Sequence, residues 1–313
     1  MKRKVIQIAD STQLVSLPRK WSLAHNIKKG EELEVSEDGS TLIISTGKIV
    51  EAGNITVDVT GMERDTLMFL VRALYKNGYD EIILNFKNNK AKNLRTGKQE
   101  NTMDIISKEV SRLNGMEIFT QKANSCTIRS LSDESSKVFD TMLRRVFILT
   151  LEAISDLRHG FKEFDVPVLE SIQQKHDTIT RFLVYSQRLL HKVGDPKYKR
   201  KDVLYHILEV IDELMDLIKY SARDLLKFKI KASKDSIRIY DKMHESFELF
   251  YKMFYHFNIE GVTKINTNRY EILNMLIKSA NVLPRKELIV LTNMEQVLEK
   301  IMNLTVSAMS FKH

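Results

Sequence analysis

The feature that most constrains the fold is the scarcity of helix-breaking residues in the C-terminal half of the chain. Glycine and proline interrupt helices, so their positions indicate helix boundaries. Between them, apolar residues recur at helical spacing, as in the stripe that runs from Leu204 through Ile211 to Leu225. We therefore predict an all-α domain over residues 132–313, whose glycines and prolines are only Gly160, Gly194, Gly261, Pro167, Pro196 and Pro284.

Six helices are predicted in this domain, in two sets of three. Ser132-Asp133-Glu134 is typical of a helix N-terminus, and Pro167 and Pro284 each open a later helix. Two sets of three helices predict paired three-helix bundles with antiparallel neighbours. The predicted bounds are about 132–163 and 167–192, a third helix carrying the Leu204 stripe, then about 233–257, 268–280 and from 284 onward.

Residues 1–48 form a different, β-rich pattern. The run Val5-Ile6-Gln7-Ile8 is β-prone, Pro18 closes a second such run and opens a short helix, and Asp38-Gly39 is typical of a hairpin turn. The predicted order is strand, strand, short helix, strand, hairpin turn and strand. Because so short a unit offers too few apolar residues for a monomeric core, we expect it to pair with a second copy.

Charge is distributed unevenly in this unit. The chain has a formal net charge of +8, and residues 1–29 carry seven Lys or Arg against Asp10 alone, which gives +6. Residues 30–48 carry five acidic residues against Lys48, which gives −4. This polarity predicts a basic face for phosphates, although a solvated surface with chance clustering would give the same count.

Strand-like and helix-like segments alternate in residues 49–131, which predicts a compact α/β domain. The turn at residues 87–98 holds five Lys or Arg and no acidic residue. Its Arg95-Thr96-Gly97-Lys98 is not a P-loop, because the first glycine and the final Ser or Thr are missing. We interpret the turn either as a solvated basic loop or as a further phosphate contact.

Several classes of protein are excluded by what the sequence lacks. Cys126 is the single cysteine, so an internal disulfide and a multi-cysteine zinc site are excluded, and a reducing compartment is favoured. No membrane-spanning segment or signal peptide is predicted, so we expect a cytoplasmic protein. Dinucleotide, nucleophile-elbow and zinc-protease motifs are missing, so we predict that the protein is not an enzyme.

The N-terminal residues resemble an AbrB/MazE-type (SpoVT-AbrB) swapped-hairpin domain of the archaeal subgroup. The resemblance is carried by Ser11-Thr12, by residues 15–21 (Val-Ser-Leu-Pro-Arg-Lys-Trp), by residues 27–31 (Ile-Lys-Lys-Gly-Glu), by Gly39 and by Leu42-Ile43-Ile44. It implies an intertwined homodimer that binds DNA through a basic surface. Carried over by position, it implies that Trp21 packs in the dimer core and that the DNA contacts are Arg3, Lys4, Arg19 and Lys20.

Residues 74–82 and 113–117 are similar to the linker domain of archaeal PhoU-family regulators, and the helices of residues 132–313 resemble a PhoU domain. That family carries a Glu/Asp-x-x-x-Asp pattern, which can hold a divalent or ferric metal. Here Gln173 and Asn303 replace two of its carboxylates. No cofactor is therefore certain. The resemblance implies a reduced metal site at Asp177, Asp212 and Asp216, and the alternative is that these carboxylates form ion pairs.

The resemblances together imply a multidomain protein with a small swapped-hairpin β domain, a compact α/β middle domain and an all-α domain of two three-helix bundles. The implied function is a DNA-binding transcriptional regulator linked to phosphate uptake, whose helical domain senses phosphate status or docks a phosphate-transport or signalling protein. A second hypothesis is an adaptor that binds a phosphate transporter or kinase without binding DNA. A third, an antitoxin, is disfavoured by the long helical domain.

Overall fold

The computed structural model describes residues 2–8, 12–38, 41–46, 53–131, 138–192, 200–279 and 281–312. Gly39 and the predicted Ser132-Asp133-Glu134 cap lie outside these residues. The chain separates into two compact units, Met1–Ile49 and Val50–His313, which we call the N-terminal and C-terminal units. It is rich in helix, with small sheets and a helical C-terminal region, which confirms the predicted helix-rich layout at this coarse level.

The N-terminal unit contains two small antiparallel sheets and one short helix. In the first sheet Ile6 lies opposite Leu14, and in the second Val35 lies opposite Ile44. After the helix the backbone turns through Asn26, whose φ of 51° is a left-handed conformation that asparagine tolerates. The elements are β1 (Ile6–Ile8), β2 (Thr12–Leu14), α1 (Arg19–Ala24), β3 (Glu34–Asp38) and β4 (Thr41–Ser45).

The C-terminal unit begins with an α/β part built on a four-stranded sheet. Its elements are β5 (Asn54–Asp58), α2 (Arg64–Lys76), β6 (Glu81–Asn85), β7 (Lys90–Lys92), β8 (Gln99–Asn101), α3 (Thr102–Val110), β9 (Met116–Lys122) and β10 (Ser125–Ser130). The sheet order is β5-β6-β10-β9, with β5 and β6 parallel and the other neighbours antiparallel. The basic turn at residues 87–98 was interpreted as a loop. In the structure it contains β7 and the residues that connect β7 to β8, and the two strands pair as a small hairpin.

Local signals position both helices of this part. The side chain of Glu63 caps α2 by accepting from the backbone N–H groups of Thr66 at 2.5 Å and Asp65 at 2.9 Å. Asn101 caps α3 in the same way. The apolar faces of the two helices pack on the sheet, and Val184 from the helical region completes that core.

Six helices follow: α4 (Phe139–Glu163), α5 (Val166–Lys192), α6 (Lys201–Phe228), α7 (Lys234–Tyr255), α8 (Ile259–Ser279) and α9 (Arg285–Lys312). The first three pack on one another, as do the last three. The two sets meet along α6–α9 and α4–α7 and share one apolar core. Among the helices that the structure describes, none combines the length and apolar composition needed to cross a membrane.

The fifth of these six helices, α8, starts at Ile259 and not near residue 268 as predicted. The side chain of Asn258 accepts from the backbone N–H of Gly261 at 2.7 Å, which stabilises the earlier start. Glycines expected at helix breaks also lie inside helices. A Cβ at Gly160 would stand 2.5 Å from Cδ2 of Leu169, so glycine there allows α4 and α5 to approach closely.

A buried arginine joins the α/β part to α5. Arg188 is fully buried and donates to the carbonyl oxygens of Tyr75 and Tyr79, each at 2.9 Å, and to the carboxylate of Asp80 at 3.0 Å. Lys192, one turn further along α5, also pairs with Asp80. Because a buried guanidinium is tolerated only when its donors are satisfied, these contacts hold the end of α2 against α5.

Candidate functional site

The four predicted DNA contacts are exposed side chains of the N-terminal unit. Arg3 and Lys4 come just before β1, and Arg19 and Lys20 form the first turn of α1. Exposed cations can reach the phosphates of a duplex, and neutralising those phosphates releases counterions. The structure brings the pairs Arg3–Lys4 and Arg19–Lys20 to the surface, as a phosphate contact requires.

The N-terminal unit has no core of its own among the side chains whose exposure is described. None of them is buried, and Trp21 is only half-buried, with its ring centroid 5.2 Å from that of His25. Large apolar side chains remain 45% to 66% exposed, namely Val5, Ile6, Ile8, Leu14, Val15, Leu23, Val35 and Leu42. So much exposed apolar surface on so small a unit is typical of an interaction surface.

In the C-terminal unit the three predicted metal carboxylates line one cavity of about 350 Å³, which we call the basic cavity. Asp177 comes from α5, whereas Asp212 and Asp216 lie one turn apart on α6. The opposite wall comes from α2, from the end of α3 and from Arg95 of the basic turn. The cavity therefore lies where the α/β part packs against the helices.

Asp216 is part of a compact charged cluster. Nε2 of His176 lies 2.9 Å from Oδ1 of Asp216 and 3.0 Å from Nζ of Lys219, and Lys219 also pairs with Asp216. Burial raises the pKa of Asp216, but hydrogen bonds from His176 and Lys219 outweigh this effect and lower the pKa to about 2. Asp216 is therefore ionised at neutral pH.

Two further carboxylates of the cavity are more buried. Burial raises the pKa of Asp212, while the hydroxyl of Thr180 donates to its Oδ1 at 2.9 Å. Glu109 is fully buried and accepts from Nε of Arg72 at 2.8 Å. Its other oxygen, Oε2, has no hydrogen-bond partner among the described residues. Burial lowers the pKa of Arg72, but the bond to Glu109 outweighs burial and raises it.

The predicted metal site receives no support from this geometry. In the described parts of the chain, no group of three or more His, Cys, Asp and Glu side chains is placed to hold a metal ion. The physical reason is that the carboxylates already have donors: Lys219 and His176 at Asp216, and Thr180 at Asp212. A divalent or ferric metal at Asp177, Asp212 and Asp216 stays a prediction.

Two carboxylates of the second helical set, Glu271 and Glu299, also form ion pairs. Glu299 accepts from Arg269 at 2.7 Å, and Glu271 pairs with Lys242. These contacts match the alternative that the sequence left open, in which the acidic pattern serves ion pairs.

Sequence reasoning missed the cationic lining of the basic cavity. Seven cations face five carboxylates, so the lining carries a formal surplus of 7 − 5 = +2. One signal was visible, because the basic turn that contributes Arg95 was noted as a possible phosphate contact. The others come from stretches far apart in sequence, so no local motif predicts them. The cations are Arg64, Arg72, Arg95, Arg112, Arg181, Lys219 and Arg223, and the carboxylates are Asp65, Glu109, Asp177, Asp212 and Asp216.

Comparison with known proteins gives no relative: no family model matches the chain, and no curated protein matches it. The likenesses to AbrB/MazE-type and PhoU domains therefore remain expectations drawn from the residues that carry them.

Proposed function

We propose that the protein is a DNA-binding transcriptional regulator linked to phosphate uptake, which acts in the cytoplasm as a homodimer of the N-terminal unit. One observation carries the proposal: the N-terminal unit combines exposed cations with exposed apolar residues and has no buried side chain among those described. A unit of this size cannot offset its conformational entropy without an added core. Pairing two copies as a swapped-hairpin dimer supplies that core.

Dimerisation also doubles the basic surface. Arg3, Lys4, Arg19 and Lys20 would occur twice about a two-fold axis, which matches the pseudo-symmetry of a DNA duplex. Contacts of this kind go mainly to phosphates, with a limited number of base contacts. We expect binding to weaken steeply with salt, with a slope of about −0.9 for each phosphate neutralised.

The helical region supports the second half of the proposal. Two sets of three packed helices agree with the PhoU-like arrangement that the sequence suggests. In this proposal the helical domain senses phosphate status or docks a phosphate-transport or signalling protein.

The test is fluorescence anisotropy with DNA from upstream of the host's phosphate-transport genes, across a salt series, against scrambled DNA. The variant is Arg19→Glu/Lys20→Glu, and the matched control is Arg238→Glu/Arg285→Glu on exposed positions of the helical region. Both double variants lower the formal net charge from +8 to +4, because each reversal removes two charges. The first should lose affinity and about one unit of salt slope per lost phosphate contact, and the control should not.

The oligomeric state is measured on the same samples by light scattering, and both variants should remain dimers. Equal loss of affinity in the two double variants would mean that overall charge, and not the Arg19–Lys20 surface, governs binding. Weak binding of the unmodified protein at low salt would instead favour the adaptor, and the search would turn to protein partners of the helical domain.

A further inference from the structure

Three cations of the basic cavity lack a close carboxylate partner. Four of its seven cations are engaged: Arg64 and Arg95 with Asp65, Arg72 with Glu109, and Lys219 with Asp216. Nη2 of Arg112 lies 3.8 Å from Oδ2 of Asp177, which is too far for a hydrogen bond. Among the residues that the structure describes, neither Arg181 nor Arg223 has a carboxylate within 4.0 Å. Both are exposed at the cavity.

These three arginines line the part of the cavity that contains Asp177. Its Oδ1 accepts from Nε2 of Gln173 at 3.2 Å, and Oε1 of Gln173 accepts from Nη2 of Arg223 at 2.5 Å. Arg112 approaches the other oxygen of Asp177, and Arg181 lies one helical turn further along α5. Three guanidinium groups and the one carboxylate of Asp177 thus line this end of the cavity, which gives a local surplus of 3 − 1 = +2.

A surplus of this size, supplied only by arginine, matches a dianion. Guanidinium groups stay charged at any physiological pH and present paired N–H donors that fit the oxygens of a phosphate. A chloride ion would neutralise only half of this surplus and would not use the paired geometry of the donors.

The rest of the cavity differs from the arginine end. Its wall includes the carboxylates of Asp212 and Asp216, whose oxygens suit hydroxyl or amino donors. Two exposed rings, Phe69 and Tyr220, also line it and can contact a flat or apolar group. The volume of about 350 Å³ falls within the range of small-molecule sites, roughly 300–1,000 Å³.

We infer that the basic cavity binds a small phosphorylated molecule of the nucleotide or sugar-phosphate class. Arg112, Arg181 and Arg223 hold the phosphate group, and the carboxylate wall accepts hydrogen bonds from hydroxyl groups of the same molecule. This inference goes beyond the proposed function, because it concerns the C-terminal unit alone and requires no DNA.

The test is isothermal titration calorimetry on the full chain, without DNA and with a chelator present. The probes are AMP, ribose 5-phosphate, inorganic phosphate, sulfate and adenosine at constant ionic strength. The variant Arg181→Gln/Arg223→Gln removes two exposed cations, and Arg238→Gln/Arg285→Gln removes two equally exposed cations elsewhere. AMP and ribose 5-phosphate should bind, and the first double variant should weaken both at least tenfold. The control should stay within about twofold of the unmodified protein, because distant surface charges are screened.

Adenosine should bind much more weakly than AMP, since it lacks the phosphate. If inorganic phosphate binds as tightly as AMP, the carboxylate wall contributes nothing to binding, and the assignment to nucleotides or sugar phosphates is overturned. The inference is overturned if no phosphate compound gives a binding heat at millimolar concentration, if both double variants lose affinity equally, or if adenosine binds as tightly as AMP. A site that takes Mn²⁺ in chelator-free buffer and no phosphate compound would also overturn it. The Arg19→Glu/Lys20→Glu variant should bind AMP normally, so failure of the DNA proposal is distinguishable from failure here.

Discussion

Replacing Arg188 by methionine is expected to loosen the junction between the α/β part and α5. Methionine fills much of the same volume but offers no donor, so the bonds to Tyr75, Tyr79 and Asp80 described above are lost. The three acceptors are affected differently by the loss of these bonds. The carbonyl of Tyr75 keeps a bond from the backbone N–H of Gly78 at 2.9 Å, and Asp80 keeps its pairing with Lys192. The carbonyl of Tyr79 loses the arginine that donates to it.

The expected loss in the free energy of unfolding follows from these lost bonds. One partly buried carbonyl left without a donor costs at most about 1–3 kcal/mol, and the weakened charge contact at the partly exposed Asp80 adds about 1 kcal/mol. We therefore expect Arg188→Met to lower the free energy of unfolding by about 2–4 kcal/mol. For a chain of this length that corresponds to a fall in Tm of about 3–6 °C.

Urea denaturation followed by circular dichroism at 222 nm measures this change, and the reactivity of the Cys126 thiol reports on the α/β core separately. Arg158→Met is the matched control, because Arg158 pairs with Asp241 on the surface with its side chain 42% exposed. An exposed pair contributes at most about 1 kcal/mol. If Arg188→Met destabilises no more than Arg158→Met does, Arg188 does not hold the junction and the reasoning is refuted.

Three further predictions concern other parts of the C-terminal unit. Gly160→Ala should destabilise the protein in thermal melts. Overpacking against Leu169 costs about 1–3 kcal/mol, which exceeds the gain in helix propensity of about 1 kcal/mol. A higher Tm would contradict the close approach of α4 and α5. Burial raises the pKa of the Cys126 thiol to about 11 from an ordinary 9.0, so at pH 8 its thiolate fraction is about 100-fold lower than for an ordinary thiol. Disulfide-exchange reagents should therefore label the native protein at least that much more slowly than the unfolded protein, and comparable rates would show an open core. The lowered pKa of Asp216 contributes stability that is complete above pH 4 or so and is lost as the pH falls through about 2. Asp216→Asn should accordingly melt below the unmodified protein at pH 6 and together with it near pH 2, whereas a constant difference would exclude an ionic contribution.

Local signals predicted most of the helical region. Pro167 lies in the first turn of α5 and Pro284 directly precedes α9, as expected from a residue that lacks a backbone donor. The start of α8 was misplaced because glycine was interpreted as a break. At Gly261 the missing side chain instead makes room for Met253, and that neighbour is set by packing and not by local sequence.

The candidate site was also predictable from the sequence only in part. Asp212 and Asp216 were expected on one helix face, because residues four apart in a helix lie on the same side, and both line the basic cavity. Their partners were not predictable. Lys219, three residues after Asp216, competes for the oxygen that a metal would need, and no pattern in the sequence distinguishes a carboxylate that binds a cation from one that binds a lysine.

The sequence by itself determined where most helices and strands form and which small unit carries the basic and apolar residues, because these properties depend on a few neighbouring residues. Only the tertiary structure decided that Arg112 and Arg223, more than a hundred positions apart, line the same cavity, where Arg112 approaches Asp177 and Arg223 binds the neighbouring Gln173. Electrostatic energy falls with distance in space and not along the chain. A surplus of positive charge in a cavity therefore exists only after α2, α3, α5 and α6 have packed together.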